Sequence, residues 1–238
     1  MRKALLAAAA LALVGACNNV LTASTPIQAS GTNADRAYQV AGFERVSLAA
    51  PYQVNLTVGG QPSVTAQGDS ALLEKTEILV ENGRLVIRLQ QGHSWSGAKG
   101  TINVTAPALN EAAIAGSGDI NVGAFQTQSF AGSIAGSGNL SLERLQADEA
   151  RFSIAGSGDV RATGNARDTA IDIAGSGNAR LSSLQAQSAQ ISIAGSGNAD
   201  LNATATAAIN IVGSGNANIS GGARCEVSRI GSGNANCG

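Results

Sequence analysis

Short runs of alternating aliphatic and small polar residues recur along the second half of the chain. Ile191 and Ile193 alternate with Ser192 and Ala194, and this period of two predicts a short strand with one buried face. Equivalent pairs stand at Phe152/Ile154, Ile171/Ile173 and Ile209/Ile211. No unit carries an apolar stripe long enough for a helix, so the pattern predicts an all-β array.

A glycine tract, Ile-Ala-Gly-Ser-Gly-Asn with small variations, separates these runs and occurs seven times. Its first glycines lie 18 to 20 residues apart, at Gly116, Gly136, Gly156, Gly175, Gly195, Gly213 and Gly231. A fixed period of this length indicates a stacked repeat architecture. One unit cannot bury its own apolar face, so we predict a parallel β-helix, a solenoid of 18–20-residue coils that we expect to be right-handed. The four prolines all precede residue 108 and leave the array uninterrupted.

In a stack of coils, equivalent residues of successive repeats lie above one another. The residue after each Gly-Ser-Gly is Asp119, Asn139, Asp159, Asn178, Asn198, Asn216 or Asn234. An asparagine amide can donate to one neighbouring coil and accept from the other, so these positions are predicted to form a structural ladder. Adjacent aspartates would repel each other, and Asn139 separates the two that are present.

The region from 38 to 107 carries strand patterns without the glycine tract. Residues 46–48, 52–58, 78–80 and 85–89 alternate or run apolar, and Asn82-Gly83 predicts a hairpin turn. These residues could form irregular opening coils or a separate small β unit. No linker composition intervenes before the coils of 108–238, so we favour a single β-helical domain over 38–238.

The N-terminus has the form of an export signal. Arg2 and Lys3 precede an apolar run that is too short to span a bilayer and that ends at Cys17. Residues 1–16 are therefore predicted to be a signal peptide. The end of this peptide resembles the lipobox of bacterial lipoproteins, in which the cysteine is lipidated. Ordinary cleavage after Ala16 without a lipid is the alternative. Asn18, directly after the cysteine, resembles the residue found in lipoproteins that are sorted to the outer membrane. Residues 17–37 are predicted to be a lipidated cysteine followed by a flexible tether.

The two remaining cysteines form an even pair in an exported chain. Cys225 and Cys237 lie in the last coil, where a disulfide would pin the end of the stack. A zinc site is the competing reading, but neither a nearby histidine nor a second cysteine pair accompanies them. We predict the disulfide.

Four segments in a fixed order resemble one known bacterial family. Phe43-Glu-Arg-Val-Ser-Leu, Asn82-Gly-Arg-Leu-Val-Ile and Ile102-Asn-Val-Thr-Ala-Pro are followed by the Gly-Ser-Gly-Asn/Asp tracts. Together they resemble the putative auto-transporter adhesin, head GIN domain family, a domain of unknown function, over roughly residues 40 to 235. The resemblance implies a β-helical envelope domain, often carried on lipoproteins, and brings no catalytic residues.

Charge and composition argue against two classes of ligand, nucleic acid and calcium. Removal of the signal leaves 13 basic against 16 acidic residues, and the absence of a basic stripe argues against nucleic acid. Five of the seven tracts carry neutral asparagine, so calcium ladders are not expected, since hard cations prefer carboxylates. No metal and no cofactor are predicted.

One loop comes close to catalytic motifs. Ser94 lies in Gly-His-Ser-Trp-Ser, which lacks the final glycine of a hydrolase elbow, and its neighbour His93, the single histidine, is badly placed as a base. Ser96 and Lys99 match Ser-x-x-Lys without the partner motif. We predict that this segment is a mobile loop tip. An exposed Trp95 on this tip is the best candidate for a contact residue.

The sequence is compatible with two functional hypotheses. We favour a non-enzymatic, lipid-anchored outer-membrane lipoprotein that acts as an adhesin or surface scaffold, with an unidentified protein or glycan ligand. The alternative is a carbohydrate-binding or polysaccharide-cleaving β-helix, for which a face bearing Arg161, Arg180 and Asp200 is conceivable. Solvated charges that keep a β surface soluble also account for these residues.

Overall fold

The computed structural model describes residues 26–27, 29–31 and 35–238; the predicted signal peptide and Cys17 lie outside the described residues. The chain forms a β-solenoid of about six turns with coils of roughly 20 residues. The all-β parallel β-helix predicted from the glycine period is therefore confirmed.

One short helix and seventeen strands make up the described chain, and all of the strands belong to one hydrogen-bonded sheet. The strands are β1 Ala29–Gly31, β2 Asp35–Tyr38, β3 Arg45–Ala49, β4 Tyr52–Val58, β5 Ser63–Gln67, β6 Thr76–Glu81, β7 Arg84–Leu89, β8 Gly100–Ala106, β9 Glu111–Gly116, β10 Asp119–Gly136, β11 Asn139–Gly156, β12 Asp159–Gly175, β13 Asn178–Gly195, β14 Asn198–Gly213, β15 Asn216–Ser220, β16 Arg224–Gly231 and β17 Asn234–Cys237. The helix is α1 Ser70–Glu74. None of the described helices is long and apolar enough to cross a membrane.

Aliphatic side chains stack in rows through the interior of the solenoid. Strands β10 to β14 each run from one tract to the next and pair in parallel with the following coil. One inward row reads Leu48, Ile114, Ile134, Ile154, Ile173, Ile193 and Ile211, and each of these side chains is at most 2% exposed. The alternating residues therefore pack against their equivalents in neighbouring coils, and this shared core replaces the one that a single unit lacks.

The glycine tract forms one corner of every coil. The carbonyl oxygen of Gly156 accepts from Ser176 N at 2.9 Å and from Gly177 N at 3.0 Å, and the same pair of bonds recurs along the array. A Cβ built on Gly177 would lie 2.3 Å from Gly158 O and 2.6 Å from the Ile154 side chain. Neighbouring coils approach too closely at this corner to admit a side chain.

The N-terminal half stacks out of sequence order. Strand β3 lies between β7 and β9, and β4 lies between β8 and β10, so the first partial coil is inserted between the next two. Strands β5 and β6 pair antiparallel with β8 and β7, and together with α1 they cover the N-terminal end of the core. The turn between β6 and β7 has φ of 50° at Asn82 and 73° at Gly83, as the Asn-Gly pair predicted. The sequence did not predict β5, α1 or this insertion. It also did not predict β1 and β2, which lie at the end of the segment 17–37 expected to be a tether and pair with each other and with β5.

The last coil is closed by a disulfide between Cys225 and Cys237, whose Cα atoms are 6.5 Å apart. Cys225 stands in the row of the buried Ala207, and Cys237 stands in that of the buried Ile219. The bridge therefore lies on the interior side of the last described coil. Ile230, on the outer side of this coil, is 69% exposed.

Replacing both cysteines with serine is expected to loosen this coil without unfolding the array. Closure of a loop of this size stabilises by about 3 kcal/mol on the chain-entropy estimate, and each coil of a solenoid contacts only its neighbours. Hydrogen exchange should therefore accelerate in β16 and β17 while β11 to β13 stay protected. Equal acceleration in all coils would contradict this local role.

Candidate binding surface

The ladder residues lie at one edge of the column, beside the glycine corner. The side-chain amides of Asn139, Asn178, Asn198 and Asn216 each donate to the ladder residue of the preceding coil at 2.8 Å. Asn139 also donates its backbone N–H to Asp119 at 3.0 Å. An ionised Asp159 has no proton to donate to Asn139, so the ladder consists of two segments, each starting at an aspartate.

Both aspartates of the ladder are held in the ionised form. Burial by itself raises the pKa of Asp119, but hydrogen bonds from Lys99 and Asn139 outweigh it, and the net pKa lies below the ordinary value. Lys99 Nζ is 2.5 Å from Asp119 Oδ2. The pKa of Asp159 is lowered in the same way, since bonds from Asn178 and Arg180 outweigh the burial effect.

A groove runs parallel to the solenoid axis at another corner of the coils and encloses about 510 Å³. It extends from the coil of Phe130 to the coil of Ala208, a length of about 19 Å at the 4.8 Å spacing of strands. One wall is formed by Ser129, Glu149, Asp168 and Ser188. The other wall is formed by Ala131, Arg151, Ala170, Gln190 and Ala208. We call this feature the coil groove.

The floor of the coil groove is a row of buried residues: Phe130, Ala150, Thr169 and Ala189. Thr169 is the polar member of this row and is 3% exposed. Its hydroxyl Oγ1 has no hydrogen-bond partner within the described chain. Its side chain belongs to the inward row of Phe130, Ala150 and Ala189, which packs in the core. A buried polar group without a partner lowers stability.

Replacing Thr169 with valine is expected to raise the free energy of unfolding by about 1 kcal/mol, because the isosteric side chain removes an unpaired hydroxyl. Urea denaturation measures the change. Thr76→Val is the matched control, since the Thr76 hydroxyl donates to Leu72 O at 2.8 Å and lies 2.7 Å from Tyr52 OH. The control should lose about 1 kcal/mol. A loss of stability in Thr169→Val would show that the hydroxyl is internally satisfied.

The charged face considered from the sequence does form one outer row. Arg161, Arg180 and Asp200 are in register on successive coils. Arg180 Nη1 donates to the ladder residue Asp159, and Arg161 Nη2 lies 3.6 Å from the same carboxylate. Both arginines therefore neutralise the ladder, which is a structural role.

The loop between β7 and β8 carries Trp95, which is half-buried where the sequence suggested an exposed ring. Its Nε1 donates to Ala98 O at 3.0 Å, and Lys75 Nζ lies 5.8 Å from the ring centroid. The ring therefore folds back onto its own loop and the edge of the core. Ser94 and His93 are exposed on this loop, and the helix that a hydrolase elbow needs does not follow Ser94 within the described chain.

No group of three or more metal-ligating side chains occurs among the described residues. Six of the seven aromatic residues are buried: Tyr38, Phe43, Tyr52, Phe125, Phe130 and Phe152. The exterior of the described coils is accordingly built mainly from small, amide and charged side chains, with Val212, Val227 and Ile230 as the exposed large aliphatic residues.

The sequence predicted the ladder, but it did not predict the coil groove. Its walls are formed by residues that look like ordinary surface positions, such as Glu149 and Gln190. The groove lies between two outward rows, which become visible only when the coils are aligned in register.

Solved structures with the same fold are known from other bacteria. A putative adhesin from Bacteroides fragilis is similar to this chain with a TM-score of 0.80 and 23% identity, over 85% of this chain and 95% of its own. A putative lipid binding protein from Parabacteroides distasonis matches with a TM-score of 0.69 and 23% identity, over 86% and 96% of the two chains. A putative adhesin from Parabacteroides merdae matches with a TM-score of 0.68 and 18% identity, over 86% and 95%.

At these identities the likeness shows the fold alone. No curated protein matches the chain. Residues 42–223, most of the described chain, match the family described as putative auto-transporter adhesin, head GIN domain. The protein therefore belongs to the head GIN domain family of putative auto-transporter adhesins, as the four sequence segments indicated.

Proposed function

We propose that this protein is a non-enzymatic adhesin or scaffold of the cell envelope, held by a lipid on Cys17 at the outer membrane. The membership in an adhesin family supports a binding role. The observation that carries the proposal is the array of five full-length coils in register, β10 to β14. Such an array is stiff, because every coil is hydrogen-bonded to both neighbours, and it repeats its outer side chains at the coil spacing.

The non-enzymatic part of the proposal rests on where the reactive groups lie. Asp119 and Asp159 are neutralised by Lys99, Arg161 and Arg180 within the ladder. The single histidine, His93, is exposed on the loop before β8, where its Nδ1 lies 3.3 Å from Gln91 O. A polysaccharide-cleaving enzyme is the alternative, and release of reducing sugar ends that is abolished by one carboxylate substitution would favour it.

The lipid anchor follows from the sequence around Cys17, which lies outside the described residues. Cells that express the full chain should incorporate radiolabelled palmitate, and Cys17→Ala should lose the label completely. Cys225→Ala is the control that keeps the candidate lipid site. Undiminished label in Cys17→Ala would contradict the anchor and leave export by ordinary cleavage.

Adhesion is tested with cells that carry the full chain. Those cells should adhere to glycan- or protein-coated surfaces more strongly than cells without the protein, and Cys17→Ala should release both the protein and the adhesion. Equal adhesion of cells with and without a correctly anchored protein would reject the adhesive role.

A further inference from the structure

The strand segment before each glycine corner presents an outer face to solvent on six successive coils. The face consists of the outward residues of 131–135, 151–155, 170–174, 190–194, 208–212 and 226–230, and we call it the pre-corner face. These segments pair without a register shift, because the shifts between β11 and β14 lie at 142–145, 161–163 and 181–188. The pre-corner face is therefore a regular surface about 24 Å long at the coil spacing.

The row of this face nearest the corner is apolar on every coil. It reads Ala135, Ala155, Ala174, Ala194, Val212 and Ile230, and all six residues are exposed. Val212 is 47% exposed and Ile230 is 69% exposed, although they adjoin each other in register. Adjoining exposed aliphatic side chains mark a contact with a partner. Both large residues stand at one end of the row, so a fitting partner has small residues opposite them.

The other two rows of the face are polar or alternate in size. The row farthest from the corner reads Ala131, Arg151, Ala170, Gln190, Ala208 and Glu226. The middle row reads Ser133, Ser153, Asp172, Ser192, Asn210 and Ser228. The charged residues of the face, Arg151, Asp172 and Glu226, form no ion pair with other described residues. Their charges are therefore available to a partner.

The far row is complementary to itself when two copies pack face to face with antiparallel solenoid axes. A two-fold axis between β12 and β13 then sets β10 opposite β16, β11 opposite β14 and β12 opposite β13 of the other copy. Small and long side chains alternate over an even number of coils, so every long side chain of this row faces an alanine. The facing pairs are Arg151 with the partner's Ala208, Gln190 with the partner's Ala170, and Glu226 with the partner's Ala131.

The same arrangement also fits the apolar row and the charges. Ile230 lies over the partner's Ala135, and Val212 lies over the partner's Ala155, so that large side chains fill the space above small ones. In the middle row the Asp172 carboxylate faces the hydroxyl of the partner's Ser192, which can donate to it. Arg151 lies one coil away from the partner's Glu226, and its long side chain spans that distance to form an ion pair.

Other arrangements of two copies fit less well. A two-fold axis parallel to the solenoid sets Asp172 opposite the partner's Asp172, where like charges repel. Moving the antiparallel copy by one coil gives the same repulsion in one direction. In the other direction it sets Gln190 opposite the partner's Gln190 and alanine opposite alanine, which leaves gaps. Stacking end to end on β16 is opposed by Arg229, which stands in the inward row of Ile211 and would place a charge in the core.

From this complementarity we infer that the pre-corner face binds a second copy of this chain with its solenoid axis antiparallel. Six coils and a strand segment of about 20 Å give roughly 600 Å² per copy, which is at the lower end of specific interfaces. Copies anchored by their N-terminal ends to two facing cells meet in antiparallel orientation, and many weak contacts then act together. The inference rests on the proposed adhesive function and identifies the ligand as this protein itself.

Exchange of charges across the interface tests the inference in solution. The full chain with Cys17→Ala, which removes the candidate lipid, should form a reversible dimer in sedimentation experiments. Arg151→Glu and Glu226→Arg should each weaken this dimer at least tenfold, because like charges then meet in both symmetric contacts. An equimolar mixture of the two variants should dimerise again, because both contacts then join opposite charges. Arg144→Glu, exposed on the same strand as Arg151 but outside the face, is the matched control and should dimerise as the wild type does.

Chemical cross-linking tests the orientation of the two copies. A short bis-maleimide reagent should join Ala155→Cys of one copy to Val212→Cys of another. It should not join two copies of Ala155→Cys, because these positions are three coils apart along the axis, about 14 Å. Efficient cross-linking of Ala155→Cys to itself would overturn the antiparallel arrangement.

Three results in solution would overturn the inference: a monomeric wild type, wild-type dimerisation of Arg151→Glu, or a mixture of the charge variants that stays monomeric. Aggregation of cells separates the inference from the adhesin role. Cells that carry the anchored wild type should aggregate, cells with either charge variant alone should not, and a mixture of the two variants should. If cells adhere to coated surfaces but do not aggregate, or aggregate equally with the variants, self-association is rejected and the adhesin role stands. If anchored wild-type cells neither aggregate nor adhere, the adhesin role is rejected, whether or not the protein dimerises in solution.

Discussion

Alanine at Gly175 is expected to lower the free energy of unfolding by about 4 kcal/mol, the largest effect of any substitution considered for this fold. Gly175 has φ of +127°, a backbone conformation that side chains rarely adopt, and a Cβ there would lie 2.4 Å from Gly156 O. Backbone strain and overpacking each cost about 1–3 kcal/mol. The same carbonyl accepts two N–H groups from the next coil, so it cannot withdraw without breaking both bonds.

Urea denaturation of the purified protein measures this loss. Gly42→Ala is the matched control, because Gly42 has no positive φ and an added Cβ would meet nothing within 4 Å. We expect the control to change stability by less than about 0.5 kcal/mol. If Gly175→Ala were as stable as the control, the close approach of successive glycine corners could not be a requirement of the fold.

The repeated half of this protein could be predicted from sequence because one physical constraint acts at every coil. The glycine period defines the corner, and the alternating residues define the inward row that includes Ile173 and Ile193. Both signals are local and recur from coil to coil. The buried threonine of the groove, by contrast, occurs once, and its meaning depends on the residues above and below it in neighbouring coils.

The N-terminal half was harder to predict because its pairings are not between successive segments. The insertion of β3 between β7 and β9 joins residues that are tens of positions apart, and strand patterns alone do not specify such partners. Only the hairpin at Asn82-Gly83 carried its own local signal. The helix α1 is a single short turn capped by Asp69, whose carboxylate accepts from Ala71 N at 2.8 Å, and it is too short to show a helical period.

The positions of aspartate and asparagine in the ladder determine how the stability of the fold depends on pH. The lowered pKa values of Asp119 and Asp159 mean that both carboxylates stabilise the fold above about pH 4. This stabilisation is lost as the pH falls through the lowered values of the folded state. The wild-type protein should therefore become less stable on acidification in this range.

Asn139→Asp is expected to reverse that response. The substitution removes the amide that donates to Asp119 and places three carboxylates on successive coils. Lys99, Arg161 and Arg180 compensate only the outer two, so the middle carboxyl should have a raised pKa in the folded state. The expected loss is about 3 kcal/mol at pH 7, from the lost charge-assisted bond and the repulsion.

Because repulsion destabilises the ionised form of this carboxyl and so raises its pKa, the deficit of Asn139→Asp relative to wild type should shrink as the pH falls from 7 to 4. Asn216→Asp is the matched control, with the same chemical change in the same row but neutral neighbours, Asn198 and Asn234. It should lose about 1 kcal/mol, the value of one hydrogen bond, with a much weaker dependence on pH. Thermal unfolding of the three proteins between pH 4 and 7 measures both effects. A deficit in Asn139→Asp that is constant over this range would show that the loss comes from the missing amide alone, and that repulsion between stacked carboxylates does not determine where aspartate is tolerated in the ladder.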